Sequence, residues 1–153
     1  MSARKINGVD ELKSLVGEHL GYSEYMEITQ DQVNKFAEAT GDHQWIHVDV
    51  ERAKAESPFG GPIAHGYLTL SLGPVLAPQV YTLGGFKMGV NYGCNKVRFM
   101  SPVMVGARLS LGVSLIAVED IAGGIQMTMG FAFECEGAPK PSCVAEIIFR
   151  SYV

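Results

Sequence analysis

The sequence predicts an α+β fold, an antiparallel sheet wrapped on one long buried helix. Three observations lead there. The stretch 63–81, IAHGYLTLSLGPVLAPQVY, carries no charged residue and is apolar on nearly every side, as expected of a helix enclosed by its own protein. Helical patterns fill the first half of the chain and strand-like patterns the second. No strand–helix–strand alternation occurs, and elements segregated in this way form α+β domains.

A membrane span needs about 20 mostly apolar residues, so length alone leaves that reading open for 63–81. His65, Gln79, the glycines and two prolines oppose it, and no adjacent basic cluster sets an orientation. Pro74 removes a helical hydrogen bond and predicts a kink near residues 70–73.

In order along the chain, 9–16 reads as a short helix, with Leu12, Leu15 and Val16 apolar and Asp10 and Glu11 early. Gly17 and Gly21 break the pattern. Residues 24–29 alternate as a strand, and Thr29 or Asp31 can cap a helix on which Val33, Phe36, Ala37 and Thr40 recur. Gly41 stops it. Asp49 caps another short helix, and 57–62 is a loop rich in proline and glycine. Beyond Gly85, 86–99 reads as one bent strand or two short ones, since Gly89 and Gly93 interrupt it. Residues 108–118, 125–134 and 144–152 complete the strands.

At 153 residues this is one domain, 1–153, with its core expected from about residue 22. A formal net charge of −4 argues against a nucleic-acid footprint. Cys94, Cys135 and Cys143 lack CxxC spacing, so neither a disulfide framework nor a zinc knuckle is expected. The N-terminus lacks the apolar core of a signal peptide, and the cytoplasm is the expected compartment. Met88, Met100, Met104, Met127 and Met129 read as core filler.

The candidate chemistry lies in DHQWIH, 42–47. Asp42 offers a carboxylate and His47 an imidazole that titrates near neutrality. Five residues apart, they would stand about 140° apart on a helix and on opposite faces of a strand. They converge on one water only if the segment is irregular. The same residues also fit a loop carboxylate bonded to local backbone and a half-buried polar ring. His43, His47 and Asp49 form an alternative metal set, although Gln44 stands where a zinc-protease motif needs Glu. Trp45 reads as a packing residue. The start of 63–81 presents unpaired N–H groups, and Gly66 there has no side chain to block a close approach.

The combination F-A-x-A-T-G-D-x-x-x-x-H-V-D over 36–49, followed by F-G-x-P-I-A-H-G over 59–66 before an apolar helix, resembles the MaoC-like, R-specific enoyl-CoA hydratases. Within that family the chain is most similar to the nodulation-protein-N-like branch. The resemblance implies a hot-dog fold, a curved antiparallel sheet around a central helix. It implies that Asp42 and His47 activate the water that adds to a trans-2-enoyl-CoA, giving (R)-3-hydroxyacyl-CoA. The Gly66 N–H would bind the thioester carbonyl, and His65 would brace the loop. Gln44-Trp45 stands where many relatives have Asn-Pro, so Gln44 becomes a candidate amide hydrogen-bonder. Where some relatives place a supporting serine this chain has Pro74, with Ser71 nearby.

Lys96 and Arg98 are candidate contacts for the CoA phosphates, and Tyr92 or Asn95 could line the acyl pocket from a partner subunit. No metal and no redox cofactor is expected, CoA being part of the substrate. A homodimer is expected, because a lone sheet leaves an edge strand to pair. Two rivals remain: a thioesterase, in which a carboxylate drives water against the carbonyl, and an acyl-CoA-binding module without turnover.

Overall fold

The computed structural model describes residues 2–153. The first half holds β1 (Arg4–Asn7), α1 (Gly8–Ser14), β2 (His19–Tyr22), β3 (Met26–Glu27), α2 (Gln30–Thr40), α3 (Trp45–Val48) and α4 (Val50–Glu56). The central helical segment follows as α5 (Gly66–Ser71), α6 (Gly73–Leu76) and a 3-10 turn (Ala77–Gln79). Then come β4 (Tyr81–Gly84), β5 (Met88–Phe99), β6 (Arg108–Ile121), β7 (Gly124–Cys135) and β8 (Cys143–Tyr152).

The main sheet runs β2-β6-β7-β8-β5, with β3 also paired to β6, and every pairing in it is antiparallel. Alternation assigns its faces: Ile125, Met127, Met129, Phe131 and Phe133 of β7 point inward and are buried, as do Leu109, Leu111, Val113 and Leu115 of β6. Leu68 and Leu76 of the central segment join that apolar cluster. The α+β arrangement read from the sequence is therefore the one observed.

Several local expectations are sharpened or corrected. The central segment starts helical geometry at Gly66, not residue 63, and breaks between Ser71 and Gly73, where Pro74 occupies the first turn of α6. It is not enclosed all round within one chain: Tyr67 is 70% exposed and Val75 is exposed as well. The core does not begin near residue 22. Ile6, on β1, and Leu12, on α1, are fully buried, and β1 pairs in parallel with β4 as a separate two-stranded sheet. Of 24–29, only Met26–Glu27 pairs as strand. Met127 and Met129 are core residues, whereas Met88 and Met100 are exposed on or beside the edge strand β5.

Helix α2 shows why its ends fall where they do. Thr29 accepts from the Gln32 N–H while the Gln32 side chain accepts from the Thr29 N–H, a reciprocal capping box. At its other end Gly41 adopts φ 85°, a left-handed conformation that costs other residues energy, and its N–H bonds the Ala37 carbonyl.

Candidate active site

Gly41 turns the chain sharply, so Asp42 to Gln44 run irregularly before α3 begins at Trp45. That irregularity is what the five-residue spacing required. The Gln44 N–H donates to Asp42 Oδ1 at 3.3 Å, a local turn that fixes one carboxylate oxygen. The Asp42 side chain remains 51% exposed. His47, on the short helix α3, is only 6% exposed.

Both imidazoles of the site are held by main-chain carbonyls. His47 Nδ1 lies 2.7 Å from the Ile63 carbonyl oxygen. A carbonyl only accepts, so Nδ1 carries the hydrogen and Nε2 presents a lone pair. His65, the residue before α5, is 2% exposed, and its Nε2–H donates to the Asp42 main-chain carbonyl at 2.9 Å. The two rings stack with centroids 3.8 Å apart and planes 23° from parallel. Burial holds the His47 pKa below the ordinary histidine value; the Ile63 hydrogen bond opposes that shift, His65 reinforces it and Asp42 opposes it.

Nitrogens of His47 and His65 and a carboxylate oxygen of Asp42 lie within 4.8 Å of one another. No direct hydrogen bond joins the Asp42 carboxylate to His47, and a separation of this order suits one water held between carboxylate and imidazole. The alternative metal set is corrected by this geometry. His43 is exposed and Asp49 is spent as the cap of α4, accepting from the Arg52 N–H at 3.2 Å. The grouping is Asp42, His47 and His65 instead. Its two nearly parallel rings direct their lone pairs along separate planes, which suits one tetrahedral ion poorly.

Gly66 opens α5, and its N–H finds no acceptor among the described residues. A Cβ built on Gly66 would come within 3.0 Å of the Phe99 ring, so glycine here admits close packing by that ring. The helix start lines a cavity of about 320 Å³ with Phe59, Ile63, Thr69, Phe99 and Cys143. Asp42 reaches this corner through His65, and His47 through Ile63.

Other candidates fall elsewhere. Gln44 contributes its main-chain N–H to Asp42, while its side chain is exposed and unbonded among the described residues. Trp45 packs under the Arg52 guanidinium, 4.2 Å from its ring centre. Ser71 donates to the Tyr67 carbonyl within its own helix rather than supporting Asp42. Tyr92 stacks on Arg150, Asn95 pairs with Glu146, and Lys96 lies 3.6 Å from the Glu146 carboxylate. Since Ala145 and Ile147 are the buried, inward residues of β8, Glu146 and Arg150 mark its outer face. Lys96 and Arg98 line a cavity on that face with His19 and Glu146. Within one chain, Tyr92, Asn95, Lys96 and Arg98 are thus not gathered with Asp42, His47 and Gly66.

Two β-bulges set these faces. The β5–β8 register shifts between Asn91 and Gly93, which inserts Tyr92 and turns Cys94 inward and Asn95 outward. It shifts again between Asn95 and Arg98, which leaves Arg98 on the outer face opposite Val144. Asn91 and Cys94 consequently line a cavity of about 250 Å³ with Leu70, Gly73 and Pro74, facing the helix. Asn91 in this role, and Thr69 beside Gly66, were missed by the sequence reading; the glycine at position 93 was the one available signal.

Comparison with known proteins identifies the family. Residues 11–132 match the family described as the MaoC like domain. The chain is 53% identical over 148 residues to 3-hydroxyacyl-thioester dehydratase Z of Mycobacterium tuberculosis, covering 96% of this chain and 97% of that protein. It is 44% identical over 144 residues to Nodulation protein N of Rhizobium meliloti, covering 92% and 88% respectively. The structure of an R-hydratase from Pseudomonas aeruginosa superposes with a TM-score of 0.68 at 22% identity, covering 90% of this chain and 81% of that one. The chain belongs to the MaoC-like dehydratase family, and its fold is the hot-dog fold of that family's known structures.

Proposed function

We propose that this MaoC-like dehydratase catalyses the reversible syn addition of water to a trans-2-enoyl-CoA, giving the (R)-3-hydroxyacyl-CoA. The carrying observation is that a carboxylate oxygen of Asp42 lies within 4.8 Å of ring nitrogens of His47 and His65, next in the chain to the Gly66 N–H, which has no acceptor among the described residues. In the hydration direction the water oxygen bonds to C3 of the enoyl group as this pair takes up a water proton. Negative charge moves onto the thioester oxygen, where the Gly66 N–H stabilises it. The pair then returns a proton to C2 on the same face. Water is added, the thioester bond survives, and no electron is transferred.

The names of the relatives, one a 3-hydroxyacyl-thioester dehydratase and one an R-hydratase, support this class of reaction. The reading uses no metal or redox cofactor and places the protein in the cytoplasm. No helix among the described residues is long and apolar enough to cross a membrane. A homodimer pairing through β5 completes the proposal; among the described residues that strand pairs with β8 alone, and it leaves Met88, Tyr92 and Phe99 exposed.

The test is the enoyl absorbance of crotonyl-CoA and of a longer trans-2-enoyl-CoA after adding protein, with product chirality read on the same sample. Loss of absorbance with the R product formed is expected. Release of free CoA from a saturated acyl-CoA would instead establish a thioesterase, and ligand binding without any turnover a binding module.

A further inference from the structure

We propose that His65 is the positioning residue of this site: its Nε2–H anchors the Asp42 main chain while its ring walls off one face of His47. The kinetic part of the test rests on the hydratase reading above; the geometric part does not.

The His65 ring is used on every side but one. One face stacks on His47 at 3.8 Å, the ring also packs against Phe36 at 4.8 Å, and Nε2–H holds the Asp42 carbonyl at 2.9 Å. Nδ1 is buried with no hydrogen-bond partner among the described residues. A buried acceptor left unpaired is unfavourable, and an apolar ring would pack there without it. Phenylalanine would supply the flat face without the donor, and glutamine the donor without the face. Histidine supplies both, which accounts for an otherwise disfavoured nitrogen.

The two functions act on the two partners of the water site. Asp42 has few other tethers: its N–H reaches Thr40 Oγ1 at 3.4 Å and its Oδ1 accepts from Gln44 N–H at 3.3 Å, both long. Removing the His65 donor therefore loosens the carboxylate. His47 is sealed by the stack and held from the other direction by Ile63. The titratable groups facing His47 are Asp42, from the loop after α2, and His65, from the segment before α5. Phe36 and Gln30 of α2, which touch His65 and the His47 carbonyl, do not titrate.

The experiment is an NMR pH titration of the His47 ring, assigned with H47Q, in wild type, H65F and H65Q, with crotonyl-CoA hydration and Tm measured on each. In H65F the His47 midpoint rises only by the loss of the His65 charge that lowers it, and less than in H65Q, while kcat falls about tenfold with KM little changed. In H65Q kcat is largely retained above neutrality, while the midpoint rises by about one pH unit as water reaches the exposed face. A folded H65F with wild-type kcat overturns the proposal, and so does a folded H65Q with an unmoved midpoint. Should H65Q fail to fold, H65F alone decides by the same criterion. Wild-type protein that shows no hydration but gives the expected midpoints defeats the hydratase reading and leaves the positioning role standing.

Discussion

The inward residues of strand β7 and the two imidazoles of His47 and His65 are buried to a similar degree by different physics. On β7, Ile125, Met127, Met129, Phe131 and Phe133 enter the core at every second position and are held by apolar contact, which has no direction. In the corner, His47 and His65 are equally sealed, but each is fixed by one hydrogen bond to one carbonyl and by a ring stacked on its neighbour. Apolar burial tolerates a change of shape when volume is kept. The corner tolerates volume changes less well still, and changes of hydrogen-bonding capacity hardly at all. Stability should therefore reside in the strand and activity in the corner.

Asp42→Asn gives the sharpest separation of the two. It keeps the size of a half-exposed side chain and removes the carboxylate, so hydration should fall by about 10³-fold or more with Tm nearly unchanged. A Tm loss comparable to that of a core deletion would break the comparison. His47 does not separate as cleanly as its sequence position suggested. Because it is buried and bonded to Ile63, His47→Ala leaves a carbonyl unpaired and should lower stability as well as activity.

Phe133→Ala probes the other side. Phe133 is fully buried, and its removal should cost about 3–5 kcal/mol, read from urea unfolding. Protein that remains folded at low temperature should keep a turnover number close to wild type. A large fall in kcat at full folding would show that the strand also sets the site geometry.

The smallest effect is a pH dependence. The His47 pKa is lowered on folding, so the unfolded chain binds a proton there more readily than the folded one. The corresponding stability is fully present above the unfolded value of about 6.5 and is lost as pH falls through the folded value. Wild type should lose at most about 1.4 kcal/mol per pH unit through this window relative to H47Q, in which that slope is absent. Parallel Tm curves for the two proteins below pH 6.5 would contradict the burial of His47.

The same contrast explains what the sequence made legible. Alternation on β7 and β8 is a regular pattern written in residue type, so these strands and their inward residues could be read directly, whereas β6 is interrupted by a register shift between Leu115 and Ala117. The ends of α2 could be read too, because Thr29 and Gly41 act locally. Asp42, His47 and Gly66 stood out through their motifs, which placed the corner before its geometry was known. The face assignment of β5 could not be read. The extra residue at Tyr92 reverses an alternation that sequence alone presents as continuous and turns Asn95 outward, and a second register shift between Asn95 and Arg98 puts Arg98 on the outer face. The strands β1, β2 and β4 are each four residues long, and their pairing depends on distant partners rather than local preference.

The pairing of β1 with β4 also bears on how the chain matures during synthesis. Tyr81, the partner of Arg4, leaves the ribosome 77 positions after it. At about 5–20 residues per second, Ile6 waits about 4–15 seconds for the surface that buries it. Through that interval the β1 segment has unpaired edges and its one core residue, Ile6, has no surface to bury it, so a chaperone or a neighbouring nascent copy can reach it first.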